Sequence, residues 1–344
     1  MEKRITVAVL TNETGAHLSA YFTALKEIKA VKNVVLSDPG QTQAEAARSQ
    51  LGSKLTAVYD QPETLFQQEK PDLALVTMQA RQAPQAINLA LENGCHVFSE
   101  KPACLSVQQF EPLVQKAESK HLHLSLALAN RMNPEILFAR SLIQGGSLGK
   151  IYGVEMTLLA DQTRLARPAY HKSWYAHKDQ AGGGFLSWLG IHWIDLSMYL
   201  TESSITDVAG FTALVGGQPI DVEDSAAFSF RYAAGFLGTL TAGYYLKQGY
   251  QSMIKIWGSQ GWLEMLPFEE RHLEWTLNHN GKTLKFDKST EPRGYTPAVE
   301  KAVSAVANDQ DPLLTSRESL RIIRTIYACY EAAQTGKSQA IPQS

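Results

Sequence analysis

Two residues of this chain have side chains suited to acid–base and electrostatic catalysis, and each lies in a distinctive local sequence. Lys101 follows the apolar run 95–98 and is part of the tetrapeptide Ser99-Glu100-Lys101-Pro102. His192 follows three consecutive glycines, 182–184, in a segment with helical apolar spacing. An imidazole with an ordinary pKa of about 6.5 can take or give a proton near neutral pH, and an ammonium group can stabilise a developing negative charge.

The residues around His192 suggest how its side chain is presented. Trp188 lies four residues before it and Asp195 three residues after it, so a regular α-helix would place all three on one face. Gly190 costs a helix interior about 1 kcal/mol relative to alanine, which predicts that another group approaches closely there. A histidine with an aspartate three residues away is also typical of a structural pair, so both interpretations stay open.

The first 130 residues alternate short apolar runs with helical patterns, which is typical of β-α-β units and a parallel sheet. Asn93-Gly94 is a helix C-terminal signal, because glycine readily adopts a left-handed conformation. We predict a doubly wound, Rossmann-type α/β domain over 1–128, with Lys101 at the sheet edge where such folds bind ligands. The predicted strands are 5–10, 34–37, 55–59, 73–77, 96–98 and 122–128, and the predicted helices are 16–29, 42–51, 62–69, 83–93 and 106–120.

A Rossmann domain usually has a G-x-G-x-x-G loop after its first strand, since glycines let the backbone approach a pyrophosphate. The corresponding loop here, Thr11-Asn12-Glu13-Thr14-Gly15, keeps one glycine. Its hydroxyl and amide groups can still donate to phosphate, whereas Glu13 places a negative charge where an anion is expected. The predicted cofactor contacts in this loop and at the end of the fifth strand are Thr11, Asn12, Thr14, Gly15, Glu100 and Lys101.

Asp38 follows the second predicted strand, where a carboxylate can accept hydrogen bonds from an adenosine ribose and would repel a 2'-phosphate. Its surroundings, Ser37-Asp38-Pro39-Gly40, are equally typical of a tight turn. The cofactor interpretation predicts NAD, with NADP less favoured.

Residues 129–344 do not alternate strands and helices in this way, and we predict an α+β domain with a large, mainly antiparallel open sheet. Several of its strands alternate apolar and polar residues, as expected when one face of a sheet is covered and the other is open. The open face is a predicted contact surface for a homodimer or homotetramer. The predicted strands are 151–159, 208–214, 226–232, 237–245, 253–257 and 262–265, and helices are predicted at 135–144 and 317–334.

Composition narrows the function further. Lys and Arg total 32 and Asp and Glu total 34, giving a formal charge of -2 and no basic stripe for nucleic acid. No apolar run reaches the roughly 18 residues that a membrane-spanning helix needs, and we expect a cytoplasmic protein. The three cysteines, at 95, 104 and 329, have no metal-binding spacing, so we predict no metal site.

The tripeptide Glu100-Lys101-Pro102 after the fifth strand, followed by 182–195 (GGGFLSWLGIHWID), closely resembles the glucose-fructose oxidoreductase / inositol dehydrogenase / MocA family. The resemblance covers nearly the whole chain, including Leu142 to Gly149 and Val222-Glu223-Asp224. It implies an NAD(P)-dependent dehydrogenase or reductase of sugars, inositols or related polyols.

The resemblance also implies site roles. Lys101 matches the lysine near nicotinamide and substrate, His192 matches the acid–base histidine, and Asp195 matches an aspartate that orients the histidine or binds substrate. Many relatives have another aspartate where this chain has Trp188, so the relay carboxylate is missing here. The eroded glycine loop is a second departure from the family pattern.

These observations predict a dehydrogenase that oxidises a hydroxyl of a cyclic sugar, sugar derivative or polyol by hydride transfer to NAD. Aromatic faces stack on sugar C–H surfaces, while charged groups bind sugar hydroxyls. Trp188 is predicted to stack on the sugar, and His192 and Asp195 to contact it. Further candidates for sugar contacts are Arg164, Arg167, Tyr170, His171, Trp174 and Tyr175.

Two alternatives remain from the sequence. A bound nicotinamide could oxidise a sugar transiently and so permit elimination or epimerisation, making the enzyme a lyase or epimerase. A catalytically silent sugar-binding paralogue would explain both the eroded glycine loop and Trp188.

Overall fold

The computed structural model describes residues 3–268, 272–287 and 292–343, which group into two compact units. The first unit contains the chain up to Ala129 together with Asp179–Gly182 and Arg293–Leu320. The second contains the rest of the described chain. The boundary predicted between residues 128 and 129 stays a prediction, and the grouping by contacts adds a late segment to the first unit.

The first unit is built on a sheet of six parallel strands, as the alternating pattern predicts. The strands are β1 (Ile5–Thr11), β2 (Val31–Ser37), β3 (Leu55–Tyr59), β4 (Leu73–Thr77), β5 (His96–Ser99) and β6 (Leu124–Leu126). Nearly every residue of β1, and all of β4, is buried, because helices cover both faces of the sheet. The predicted doubly wound fold is confirmed.

The helices of the first unit lie close to their predicted positions. They are α1 (Leu18–Glu27), α2 (Ala44–Leu51), α3 (Pro62–Gln68), α4 (Ala83–Glu92), α5 (Val107–Ser119) and, far along the chain, α10 (Tyr295–Asn308). Gly94 has φ 74°, in agreement with the predicted glycine stop after α4. The sequence prediction missed α10, which packs against α1.

The strand order in this sheet is β3-β2-β1-β4-β5-β6. The chain winds outwards in one direction from β1 to β3 and in the other from β4 to β6. The crevice at the carboxyl ends of β1 and β4 is therefore the topological switch point, where open α/β sheets bind their ligands.

The second unit has a nine-stranded sheet of order β14-β13-β12-β11-β7-β10-β9-β8-β15. All neighbouring pairs are antiparallel except β7 and β10, so the predicted, mainly antiparallel sheet is confirmed. The strands are β7 (Ile151–Asp161), β8 (Ile205–Ala213), β9 (Ser225–Tyr232), β10 (Leu237–Leu246), β11 (Tyr250–Gly258), β12 (Gly261–Met265), β13 (His272–Leu277), β14 (Thr283–Asp287) and β15 (Gln339–Ala340). The sequence prediction missed the last three.

The second unit contains α6 (Pro134–Gln144), the short α7 (Pro168–His171), α9 (Ile191–Thr201) and parts of α8 (Lys178–Ala181) and α11 (Ser316–Thr335). Helix α9 packs on β7 and α6 on β13, so helices cover one face of the sheet. Strand residues alternate between buried and exposed, so the opposite face presents every second side chain. Phe211 is 71 % exposed and Leu237 60 % exposed on that face.

None of the helices in the described ranges is long and apolar enough to cross a membrane. Within the same ranges, His, Cys, Asp and Glu side chains do not gather in groups of three that could hold a metal ion. Cys95, Cys104 and Cys329 are all buried.

Candidate active site

The loop between β1 and α1 is held together by its own side chains. Asn12 Oδ1 accepts hydrogen bonds from the Thr14 backbone N–H at 2.9 Å and from the Thr14 hydroxyl at 2.5 Å. The Thr77 hydroxyl, at the end of β4, accepts from the Ala16 N–H at 2.9 Å and donates to the Ala16 carbonyl at 2.7 Å. Side-chain hydrogen bonds thus fix a backbone path that glycines shape in the usual Rossmann loop.

Gly15 is required by close packing. A Cβ on this residue would fall 2.7 Å from Leu18 Cδ1 and closer still to the Thr11 hydroxyl oxygen. The single glycine that the loop keeps therefore lets the start of α1 lie against the end of β1.

A cavity of about 300 Å³ opens beside this loop at the switch point. It is lined by backbone and side chains from the ends of β1, β2 and β4 and from α3 and α4, and its walls combine amide, hydroxyl and apolar groups. None of its lining residues carries a positive charge. Those residues are Leu10, Thr11, Asn12, Ser37, Pro39, Gln61, Pro62, Glu63, Met78, Gln82, Gln85, Ala86 and Leu89.

The cavity fits the adenosine half of a dinucleotide. Its apolar walls suit a purine, while Ser37 and Gln61 offer hydrogen-bonding groups of the kind that a ribose needs. Thr11 and Asn12, both predicted as cofactor contacts, line it. Thr14 and Gly15 shape the loop instead, through the contacts described above.

Asp38 is fully buried and makes a local turn. Its Oδ2 accepts from the Gln43 backbone N–H at 2.6 Å and its Oδ1 accepts from the Thr42 hydroxyl at 3.2 Å. This geometry matches the turn interpretation of Ser37-Asp38-Pro39-Gly40. The ribose contact stays a prediction, and it requires the carboxylate to accept further bonds beside those two.

Glu100 and Lys101 lie at the end of β5 in the first unit, and they are 3 % and 2 % exposed. The Glu100 carboxylate accepts hydrogen bonds from Tyr21 at 2.6 Å, Tyr295 at 3.2 Å and the Lys101 backbone N–H at 3.0 Å, and its Oε1 lies 2.9 Å from His17 Nδ1. Burial alone would raise its pKa, but the hydrogen bond and charge of His17, with the Lys101 charge and the Tyr21 hydroxyl, lower the pKa to about 2. Glu100 is thus an ionised structural centre beside Lys101.

His192 lies in the second unit, near the start of α9, and is 9 % exposed. The segment before it, Leu186–Gly190, is a π turn and not the regular helix that the spacing predicted. The expectation that Trp188 and His192 follow α-helical spacing is therefore wrong, because a π turn holds more residues than an α turn. The close approach expected at Gly190 is present, since a Cβ there would lie only 3.1 Å from Leu186 Cδ1, a side chain of the same segment.

Asp195 is 1 % exposed and forms a buried ion pair with Arg131, which precedes α6. Arg131 Nη2 donates to Asp195 Oδ1 at 2.6 Å, and Nε lies 3.0 and 3.1 Å from the two carboxylate oxygens. Sequence reasoning missed this partner, 64 residues away. The ion pair fixes α9 against the turn before α6 and gives Asp195 a structural role, while its predicted substrate contact stays a prediction.

The aromatic residues predicted to bind sugar are gathered in the second unit. The Trp188 ring lies 5.4 Å from the rings of both Trp174 and Tyr175, and Tyr170 lies 5.2 Å from Tyr175. Arg164 donates to the Tyr250 hydroxyl at 2.9 Å. The rings of Trp188 and Tyr175 are partly exposed, so this aromatic group has faces available to a ligand.

Two further candidates have a different setting. The His171 ring nitrogen Nε2 lies 2.5 Å from the Leu165 carbonyl oxygen, so His171 stabilises the loop in which it lies. Arg167 is exposed at the start of α7. Their sugar contacts stay predictions.

A doubly wound parallel sheet with a cavity at its switch point defines the first unit as a Rossmann nucleotide-binding fold. The profile described as "Oxidoreductase family, NAD-binding Rossmann fold" matches residues 14–128, and the one described as "GFO/IDH/MocA C-terminal domain" matches residues 136–264. The chain belongs to the Gfo/Idh/MocA oxidoreductase family, and the predicted resemblance is confirmed. It is an oxidoreductase with an NAD-binding first unit.

Relatives of known activity match over most of their length. D-glucoside 3-dehydrogenase of Escherichia coli is 24% identical over 327 residues, covering 88% of each chain. scyllo-Inositol 2-dehydrogenase (NAD(+)) of Bacillus subtilis is 23% identical and covers 92% of this chain and 90% of its own. Among solved structures, levoglucosan dehydrogenase in complex with NADH and levoglucosan has a TM-score of 0.88 at 18% identity, covering 98% of this chain and 100% of its own.

Proposed function

We propose that this protein is an NAD-dependent dehydrogenase that oxidises a secondary hydroxyl of a cyclic sugar, sugar derivative or polyol. The observation that carries this proposal is the family match over both units, together with a cavity at the switch point of the parallel sheet that fits the adenosine half of a dinucleotide. The activities of the D-glucoside and inositol dehydrogenases support the substrate class.

The residues of this chain divide the chemistry between them. His192 takes the hydroxyl proton as a general base, and Lys101 stabilises the alkoxide that develops on the same oxygen. NAD, when bound, supplies the acceptor for the hydride that leaves the substrate carbon. Trp188, in place of a relay carboxylate, has no acceptor for a proton, so His192 exchanges its proton with water or with another side chain.

The cavity favours NAD over NADP. A 2'-phosphate needs an arginine or lysine to neutralise it, and no lining residue of the cavity is basic. Glu63 lines the same cavity and adds a negative charge that opposes a phosphate. Measured dissociation constants should be lower for NAD, and equal or tighter binding of NADP would refute this choice.

The aromatic group defined by Trp174, Tyr175 and Trp188 is the proposed sugar platform. The three ring centroids lie about 5 Å from one another, and the rings of Tyr175 and Trp188 are tilted by only 31°, so together they form a surface that can stack on the C–H face of a pyranose or inositol ring. Arg164 and Tyr250 supply hydrogen-bonding groups for sugar hydroxyls from the neighbouring loop and strand.

Steady-state assays on a panel of glucosides, inositols and anhydrosugars, followed by NADH absorbance, test the proposal. We expect Lys101→Ala and His192→Ala each to lower kcat by more than about a hundredfold, the scale of a positioned acid–base or electrostatic group. Lys116→Ala and His279→Ala serve as matched controls, because both residues lie outside the proposed site. Near-normal turnover in a folded Lys101 or His192 variant would remove that residue from the mechanism.

The same panel separates the two alternative functions. Purified protein that retains NAD and converts a sugar without net NADH release would be a lyase or epimerase. Protein that binds neither NAD at millimolar concentration nor turns over any substrate would be a silent paralogue.

The open face of the nine-stranded sheet is the proposed contact between copies of the chain in a homodimer or homotetramer. Phe211, Ala227, Thr241 and Thr157 lie side by side across β8, β9, β10 and β7, and these uncharged side chains form a row on which a second sheet could pack. Light scattering should give two or four chains, and Phe211→Asp should shift the protein towards the monomer.

A cytoplasmic location is also proposed, because three buried cysteines suit a reducing compartment.

A further inference from the structure

The helix that carries His192 begins with a turn that no nearby side chain caps. Its first helical hydrogen bond runs from the Trp188 N–H to the Gly184 carbonyl at 3.0 Å. The N–H groups of residues 184–187 therefore precede the helical ladder and need partners from elsewhere.

Glu223, which lies just before β9, supplies three of those partners. Its carboxylate accepts from the Gly184 N–H at 2.7 Å through Oε2 and from the Leu186 N–H at 2.9 Å through Oε1. Its backbone carbonyl accepts from the Phe185 N–H at 3.0 Å.

Tyr330 on α11 completes the set. Its hydroxyl accepts from the Ser187 N–H at 3.2 Å and donates to Glu223 Oε1 at 2.8 Å. All four N–H groups at the start of the helix are thus held by two residues that lie about 40 and 140 positions further along the chain.

Glu223 and Tyr330 are called the clamp below. The glycines of this segment leave the space in which the clamp residues lie. A Cβ on Gly183 would lie 2.8 Å from Tyr330 Cε2 and closer to the Tyr330 hydroxyl, and a Cβ on Gly184 would lie 2.9 Å from the Glu223 nitrogen and closer to its carbonyl oxygen. Side chains larger than hydrogen would push Glu223 and Tyr330 away. The glycines are needed for this close approach and not only for flexibility.

The clamped turn leads directly into the π turn Leu186–Gly190 and then to His192, the second residue of α9. A π turn is rare and occurs mostly as a single turn within an α-helix, frequently at a functional site. Here the turn lies between the held N–H groups and His192, so a shift of its first residues would be passed along the helix to the imidazole.

We propose that Glu223 and Tyr330 are positioning residues for the acid–base histidine: by holding the N–H groups of residues 184–187 they set the place of His192 relative to the substrate. This inference rests on the proposed function for its kinetic consequence, while the clamp itself is defined by geometry. A displacement of about 1 Å at a reacting group can lower turnover a hundredfold, so a small slackening is enough to be measured.

The chain offers matched controls for both variants. Asp224 is the next residue, is equally a carboxylate, and also accepts two backbone N–H groups, those of Val215 at 2.9 Å and Gly216 at 2.7 Å, but in a loop away from α9. Tyr232 donates its buried hydroxyl to Ser197 Oγ at 2.7 Å, near the far end of α9. Glu223→Gln is therefore compared with Asp224→Asn, and Tyr330→Phe with Tyr232→Phe.

Two readouts are taken on the full-length protein. Hydrogen exchange of peptides covering 184–190 should be faster by about tenfold in Glu223→Gln and Tyr330→Phe and unchanged in the two controls, because only the former lose acceptors for those amides. With NAD and the best sugar of the panel, kcat should fall by about ten- to a hundredfold in Glu223→Gln, with the KM for NAD unchanged and with kcat near wild type in Asp224→Asn.

The outcomes test the clamp, the positioning role and the proposed function separately. Unchanged exchange at 184–190 in both clamp variants overturns the clamp, whatever the activity. Faster exchange with a kcat equal to that of the controls overturns the positioning role. If no sugar of the panel is oxidised by the wild type, the proposed function fails, and chemical shifts of the His192 ring in the clamp variants then test the positioning alone, with unchanged shifts overturning it.

Discussion

The starts of α1 and α9 are each held in place by a buried glutamate, but through different interactions. Both follow a glycine-containing segment, and each is tied to a buried glutamate carboxylate, Glu100 through the ring of His17 and Glu223 through backbone N–H groups. Near Glu100 the histidine and Lys101 hold the pKa down at about 2. Near Glu223 desolvation is the largest effect and the pKa is raised.

The difference shows what keeps a buried carboxylate ionised. Backbone dipoles from Leu186 and Gly184 and the Tyr330 hydroxyl act on Glu223 to lower its pKa, but burial outweighs them. Glu100 gains full positive charges in addition to hydroxyl donors, and these reverse the effect of burial. One helix start is therefore held by charge and the other by geometry.

The largest effect that would break this comparison is loss of the charge at Glu100. Glu100 has a lower pKa in the folded than in the unfolded chain, so its contribution to the free energy of unfolding is present above about pH 4.5 and is lost as the pH falls towards 2. We expect Glu100→Gln to cost about 3 kcal/mol at pH 7, with the difference from wild type shrinking on acidification.

Glu223 should respond with the opposite sign. Its pKa is raised by folding, so the folded state gains stability relative to the unfolded state as the pH falls through that pKa. Glu223→Gln should therefore change the free energy of unfolding at pH 7 by less than about 1 kcal/mol. Urea unfolding between pH 7 and pH 3 measures both variants, and parallel pH curves for the two would contradict the distinction.

A second, smaller effect concerns the glycines. Gly184→Ala should cost about 2 kcal/mol, because its Cβ meets backbone atoms of Glu223, a contact that no side-chain rotation can relieve. Gly15→Ala should cost about half as much, since the nearest atoms belong to the side chains of Thr11 and Leu18. Thermal unfolding of the two variants gives the ranking, and an equal loss would mean that the two helix starts are equally tight.

The smallest expected effect separates the functions of the two helix starts. Thr77→Val removes both hydrogen bonds to Ala16, and it should lower stability by about 1 kcal/mol and weaken NAD binding about fivefold. Its kcat at saturating NAD should stay within about twofold of wild type. Calorimetric titration with NAD and steady-state kinetics check this, and a loss in kcat without weaker NAD binding would contradict the division.

The sequence was most informative where structure is local. The six strands of the first sheet follow from runs of buried apolar residues, and the glycine stop at Gly94 follows from its backbone freedom. The confirmed family resemblance rested on short motifs of this kind, around Lys101 and His192. The predicted residues Trp174, Tyr175 and Trp188 also lie together in the second unit.

What sequence reasoning missed depends on distant partners. The segment 186–190 has helical spacing, and its π winding is held by Glu223 and Tyr330, far along the chain. The pairing of Asp195 with Arg131 is invisible to an i+3 spacing rule for the same reason. Strand β13 pairs with β12, and helix α10 packs on α1 although the two helices are far apart in the sequence.

The position of helix α10 in the chain determines when the first unit can finish folding during synthesis. Its Tyr295 hydroxyl reaches Glu100, and the helix packs on α1, yet it is made about 170 residues after the last strand of the sheet that it covers. A nascent chain that has already formed six parallel strands still has Tyr21 and the α1 face without their cover. The nucleotide-binding unit, first on the ribosome, is therefore among the last parts of the protein to be finished.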